Sequence, residues 1–193
     1  MKNDKAPEFD LQRPFTSTIS VLRAVLFSPK TFYSNLEVDG PMREPAIFAL
    51  VVGAVSGVLG AALALTSNVL FGDFGAGDLR AALVGAVLFA VLSPVGVGVA
   101  AAIYLVSIRT FVGKVAGFAE VYRMVAYAAS VLVLAWIPVL GAFAFTYALM
   151  VLMGLAIQSA YKTSFITTVI TVFVGFVPVA SLLVWVAVNQ LTL

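Results

Sequence analysis

Between Met124 and Ile157 the chain carries no charged side chain. As a single α-helix this stretch would be about 51 Å long, well beyond a hydrocarbon core of roughly 30 Å. Inside it lies "AWIPVLG", Ala135 to Gly141, where proline is followed three residues later by glycine. That punctuation suits a tight helix–helix connection. The stretch is therefore expected to reverse at Ile137 to Gly141, with Pro138 and Gly141 at the turn, and to give two spans. Reversal also carries Trp136 to a water–lipid interface, where tryptophan is favoured, instead of leaving it at mid-membrane.

Three further uncharged runs have spanning length. The first, Ala46 to Leu65, is about 30 Å as a helix and opens after Pro45, a residue tolerated at the first helical position. The second, Ala81 to Ser107, would be about 40 Å and must tilt or bend, with a kink expected at Pro94 beside Gly96 and Gly98. The last, Phe165 to Val188, contains Pro178. The expected fold is all-α: a polytopic transmembrane helix bundle of five spans, about 46–66, 81–107, 121–137, 140–158 and 165–188. A tail, 1–45, precedes a transmembrane domain, 46–188. The composition agrees, with 62% apolar and 10% charged residues against roughly 45–50% and 25% in soluble domains.

Lysine and arginine accumulate on the cytoplasmic side of membrane proteins. Five spans place Lys2, Lys5, Arg13, Arg23, Lys30, Arg43, Arg109, Lys114, Arg123 and Lys162 on one side and Arg80 on the other. The expected orientation has the N-terminus in the cytoplasm and the C-terminus outside. No cleaved signal peptide is expected, because residues 1–15 mix acids and bases with no apolar run directly behind them.

In the tail, Phe15, Ile19, Leu22 and Leu26 recur at helical spacing, and Ser28–Pro29 reads as a stop followed by a helix start. Two short amphipathic helices at the cytoplasmic interface are expected there. Gly53, Gly57 and Ala61 form a small-residue stripe suited to close helix packing or to a homo-oligomer face. Arg109, Lys114 and Arg123 could contact anionic lipid headgroups, at about 1 kcal/mol each. Glu120 could pair locally with Arg123 or Lys114. The faces of the last span carrying Ser164, Thr168 and Thr171 read as packing or as a polar lining.

Two passages, "VLFSPKTFYSNL" with Pro29, and "VGKVAGFAEVYRMVAYAASVLVLAWIPVLG" followed by "LMGL", resemble the YIP family of Ypt/Rab-interacting membrane proteins. The matching positions are Gly117, Phe118, Glu120, Tyr122, Arg123, Ala126, Tyr127, Pro138, Gly141, Gly154 and Leu155, within a likeness running roughly from Val21 to Pro178. The resemblance implies five spans and a cytoplasmic N-terminus. Eukaryotic members are linked to prenylated small GTPases and vesicle traffic. Here their longer N-terminal region is missing and their Asp-Leu-Tyr-Gly-Pro signature is reduced to Gly40–Pro41 in "EVDGP". The chain thus looks like the shorter bacterial relatives, which implies a bacterial inner membrane.

The absences narrow function. Without cysteine or histidine, thiolate nucleophiles, imidazole metal ligands and Ser-His or Cys-His pairs are excluded. No charge lies deep in an expected span, which argues against ion-coupled pumping. The expectation is a non-enzymatic membrane protein with no cofactor and no nucleic-acid partner. It would meet membrane lipids, and organise protein partners or membrane through its basic cytoplasmic face. The alternative is a passive transporter, channel or lipid-translocating protein.

Overall fold

The computed structural model describes residues 5–72, 75–113, 116–137 and 139–190, and among them every regular element is a helix. Two short helices come first, α1 (Pro14–Phe27) and α2 (Pro29–Ser34). The long helices α3 (Arg43–Phe71) and α4 (Ala76–Phe111) follow. Then come α5 (Phe118–Ala128), α6 (Leu140–Thr146), α7 (Met153–Tyr161) and α8 (Phe165–Gln190). A 3-10 segment, Ala129–Leu134, continues α5, and a π-helical segment, Tyr147–Leu152, joins α6 to α7.

Among the described residues, four stretches are long and apolar enough to cross a membrane: Arg43–Phe71, Gly77–Phe111, Leu140–Tyr161 and Phe165–Trp185. The fold is a helical membrane bundle. The segment expected at 121–137 is built differently. Its helix starts earlier, at Phe118, and its last six residues are 3-10. Residues Val121 to Val131 are all buried among the other helices, so this segment is the axis around which they pack.

Small residues set the helix approaches. A Cβ on Gly53 would lie 2.6 Å from the Ser93 Cβ, and one on Gly57 2.8 Å from the Ala86 carbonyl oxygen. Both glycines thus let α3 close on α4 within this chain, while Ala61 lines an apolar groove beyond them. Helix α4 runs on through Pro94 without interruption.

Hydroxyl groups tie the helices where no water can. Ser56 Oγ donates to the Leu132 carbonyl at 2.9 Å, and Ser93 Oγ to the Ala49 carbonyl at 2.9 Å. Tyr104 Oη donates to the Leu149 carbonyl at 2.5 Å, and Tyr122 Oη to the Pro94 carbonyl at 3.1 Å. Such bonds act as glue between helices in lipid, where apolar burial supplies no drive for association.

The reversal falls between Leu134 and Leu140. Pro138 lies outside the described residues. Val139 supplies the left-handed backbone, at φ 67°, and the Gly141 amide donates to the Ile137 carbonyl at 2.8 Å. Gly141 serves by its size: a Cβ there would sit 2.6 Å from the Ala135 carbonyl oxygen.

Candidate functional site

The starts of α3, α5 and α8 and the ends of α4 and α7 carry Arg43, Arg109, Glu120, Arg123 and Lys162; α2 packs on α7, while α1 packs on α5 and on the 3-10 segment that continues it. This basic end of the bundle holds most of the residues singled out by the sequence.

Arg123 stands in the second turn of α5 with 6% of its side chain exposed, so it does not face headgroups as expected. Its Nη2 donates to the Glu8 carboxylate and pairs with it, and its Nη1 donates to the Pro41 carbonyl at 3.3 Å. The guanidinium carbon lies 5.8 Å from the centroid of the Tyr127 ring. A Cβ on Gly40 would stand 3.0 Å from Nη1, so the Gly40–Pro41 backbone reaches the guanidinium because glycine is there.

Glu8 arrives on an arm, Ala6 to Asp10, that folds back over the bundle. Phe9 is buried against Phe48, with ring centroids 5.7 Å apart, and its amide donates to Tyr127 Oη at 3.4 Å. The Ala6 amide donates to the Asn35 carbonyl at 3.2 Å. Beneath the arm, Phe32, Phe48 and Tyr127 form an aromatic floor with centroids 5.3 to 5.6 Å apart. Burial holds the Glu8 carboxyl above its ordinary value even though the neighbouring Arg123 pulls it down.

The other expected contacts are also redistributed. Glu120 does not pair with Arg123; its carboxylate accepts from Tyr161 Oη at 3.2 Å. The exposed Arg109 turns back on the loop after α4, where Nε and Nη2 donate to the Ala116 carbonyl at 3.3 and 3.1 Å. Lys114 lies outside the described residues. Gly117 is the N-cap of α5, and a Cβ on Gly154 would meet α8 only at ordinary contact distance. Pro29 opens α2, but the Ser28 hydroxyl makes no capping bond. Tyr104 is fully buried between helices.

Helix α1 presents two faces. Ser17, Thr18, Val21 and Val25 are small and pack onto the bundle. The stripe read from the sequence points away from it: Phe15 is 85% exposed and Ile19 64%, with Leu22 and Leu26 half-buried beside them. Phe27, Arg23 and Lys30 are exposed nearby.

Two other candidates are weaker. The hydroxyls at the start of α8 are satisfied locally, Thr168 on the Ser164 carbonyl at 2.9 Å and Thr171 on the Thr167 carbonyl at 2.7 Å. At the opposite end, an open apolar groove of about 320 Å³ runs between α3 and α4, lined by Gly57, Gly60, Ala61, Gly85, Phe89 and Trp136.

The sequence pattern missed Glu8, Phe9 and the Tyr104 bond. The Glu8–Arg123 pair spans 115 residues, and no periodicity links positions so far apart.

No curated protein and no solved structure matches the chain significantly. Residues 23–188 match the family model described as the Yip1 domain, from the middle of α1 into the last turns of α8. With that match over most of its length, the chain belongs to the Yip1-domain family of membrane proteins.

Proposed function

We propose that this protein is a non-catalytic organiser of a bilayer and of partners on it, of the shorter bacterial type and seated in an inner membrane. Its arm, α1 and α2 lie on the cytoplasmic side, and its C-terminus lies outside. The observation that carries the reading is the face of α1 that the bundle leaves uncovered. A helix docked by Val21 and Val25 that still exposes Phe15, Ile19 and Phe27 has a second apolar surface to satisfy. Each such side chain gains about 1.5–3 kcal/mol on full transfer from water. Beside it, Arg23 and Lys30 would draw anionic headgroups, at about 1 kcal/mol each. The helix then rests at the level of the headgroups and fixes the depth and tilt of the bundle.

Support for a non-catalytic role comes from how the basic end uses its charges. Arg123, Arg109 and Glu120 all hold other parts of the same chain. A passive conduit would want polar groups turned to a path, whereas Thr168 and Thr171 bond to their own helix.

The test is photo-crosslinking in native membranes, with benzoylphenylalanine replacing Ile19 in one variant and Val21 in another. The reading expects phospholipid adducts from position 19 and none from position 21. Adducts from position 19 that contain protein and no lipid would overturn the interfacial role of α1.

A further inference from the structure

The guanidinium of Arg123 is half used. By its covalent geometry Nε–H and one Nη2–H point the same way, making a side that fits two oxygens of a carboxylate or phosphate. Glu8 engages Nη2 with a single oxygen. The adjoining Nε is buried and has no partner. A buried donor left unmatched is uncommon in a settled fold. Here it lies next to a carboxylate brought in by a separate segment.

Around the guanidinium, the Tyr127 ring lies on one face with Phe48 packed against that ring, and Pro41 and Gly40 adjoin Nη1. The remaining wall is the arm, held by the burial of Ala6 and Phe9, amide bonds of 3.2 and 3.4 Å, Glu8 itself, the Lys5–Glu37 pair at its start and the Ser17 hydroxyl on the Asp10 carbonyl at its end. Glu8 remains 29% exposed, so the site reaches the surface along the arm. Of the other charges on the arm and the α2–α3 connection, Asp10, Glu37 and Asp39, Glu37 pairs with Lys5, just before the arm, at 2.7 Å. If the arm left with nothing in its place, a buried cation would be stranded, so its departure requires another anion.

We propose that Arg123 is the floor of a phosphate-binding site, that Glu8 fills it as an internal substitute, and that the phosphate of an anionic phospholipid displaces the arm. Two phosphate oxygens would engage Nε and Nη2 together, which the arm's single oxygen does not. The exchange makes the N-terminal arm a lipid-responsive cover over the aromatic floor. The idea goes beyond the reading of α1, and the two fail separately: crosslinking at position 19 reports α1, and the position of the arm reports Arg123.

Because the chain has no cysteine, the whole protein can carry nitroxide labels at Pro7→Cys and Lys30→Cys, both exposed. Distances between them are read in nanodiscs of phosphatidylcholine, of phosphatidylcholine with phosphatidic acid, and of phosphatidylcholine with added inorganic phosphate. One narrow distance is expected in phosphatidylcholine, and a second, longer population with phosphatidic acid. Glu8→Gln should reach half-release at a several-fold lower phosphatidic acid content. Arg123→Lys, which keeps the charge but loses the two-point side, should lose the response. Release by inorganic phosphate would support the site and assign its ligand to soluble phosphate. A single unchanged distance in every condition, Glu8→Gln included, would overturn the proposal. So would release in Glu8→Gln that is equal with and without phosphatidic acid.

Discussion

A π-helical turn leaves backbone carbonyls without their usual partner, and in a hydrocarbon core no water can replace it. In the Tyr147–Leu152 segment the Leu149 carbonyl is matched by Tyr104 Oη, from α4. The ring that delivers this hydroxyl fits only because α8 has Gly175 beside it: a Cβ there would stand 2.7 Å from two ring carbons. Three helices therefore meet through one phenol, one carbonyl and one missing methyl. Tyr104→Phe keeps the ring and removes the bond, and should cost about 0.6 kcal/mol, the average for hydrogen bonds between membrane helices, and at most about 1.7 kcal/mol. Gly175→Ala forces the ring aside and should cost about 1–3 kcal/mol, as overpacked cores do. Unfolding both variants in mixed micelles checks the order, and a Gly175→Ala protein as stable as the parent would refute the close fit.

At the scale of elements, the third segment shows what a sequence displays and what it hides. Eleven α-helical and six 3-10 residues rise about 28 Å in all, because a 3-10 turn climbs about 2.0 Å per residue against 1.5 Å. A stretch too short as an α-helix thus approaches the thickness of the core. The uncharged runs were legible, since length without charge is a property of the string: 46–66 became Arg43–Phe71 and 140–158 became Leu140–Tyr161. The change to 3-10 in "ASVLVL" was not, since its apolar residues suit either helix. Nor was the choice of face on α1, where the larger apolar side chains form the other stripe and packing selected the small residues Ser17, Thr18, Val21 and Val25. The reversal was legible through Pro138 and Gly141, but Gly141 acts through size, with Val139 taking the unusual backbone angle. Gly141→Ala should therefore lower stability by about 1–3 kcal/mol. Gly60→Ala, whose added carbon would meet Trp136 at an ordinary 3.8 Å, should stay within about 0.5 kcal/mol of the parent. Equal losses in the two variants would remove the argument from close approach.

For the whole molecule, the consequence of that reversal is topological. Helices α3 and α4 are antiparallel, since Gly53 meets Ser93 and Gly57 meets Ala86. Tyr122 at the start of α5 bonds to Pro94, and Leu132 further along meets Ser56, so the third segment climbs alongside α3. Glu120 at its start meets Tyr161 at the end of α7, which brings the chain back to the basic end. If the third segment crosses with the others, five crossings leave α8 to finish on the side opposite α1. Impermeant maleimide can count them, because every introduced cysteine is the only one. Phe71→Cys and Leu140→Cys, exposed at the two far turns, should label in intact cells. Lys30→Cys and Lys162→Cys, exposed at the basic end, should label only after permeabilisation, and a reporter fused behind Leu193 should be active outside. Labelling of Leu140→Cys only after permeabilisation, with Phe71→Cys still labelled from outside, would mean that the third segment enters the bilayer without crossing it. The arm, α1 and the C-terminus would then share one compartment, and the proposed orientation would fail.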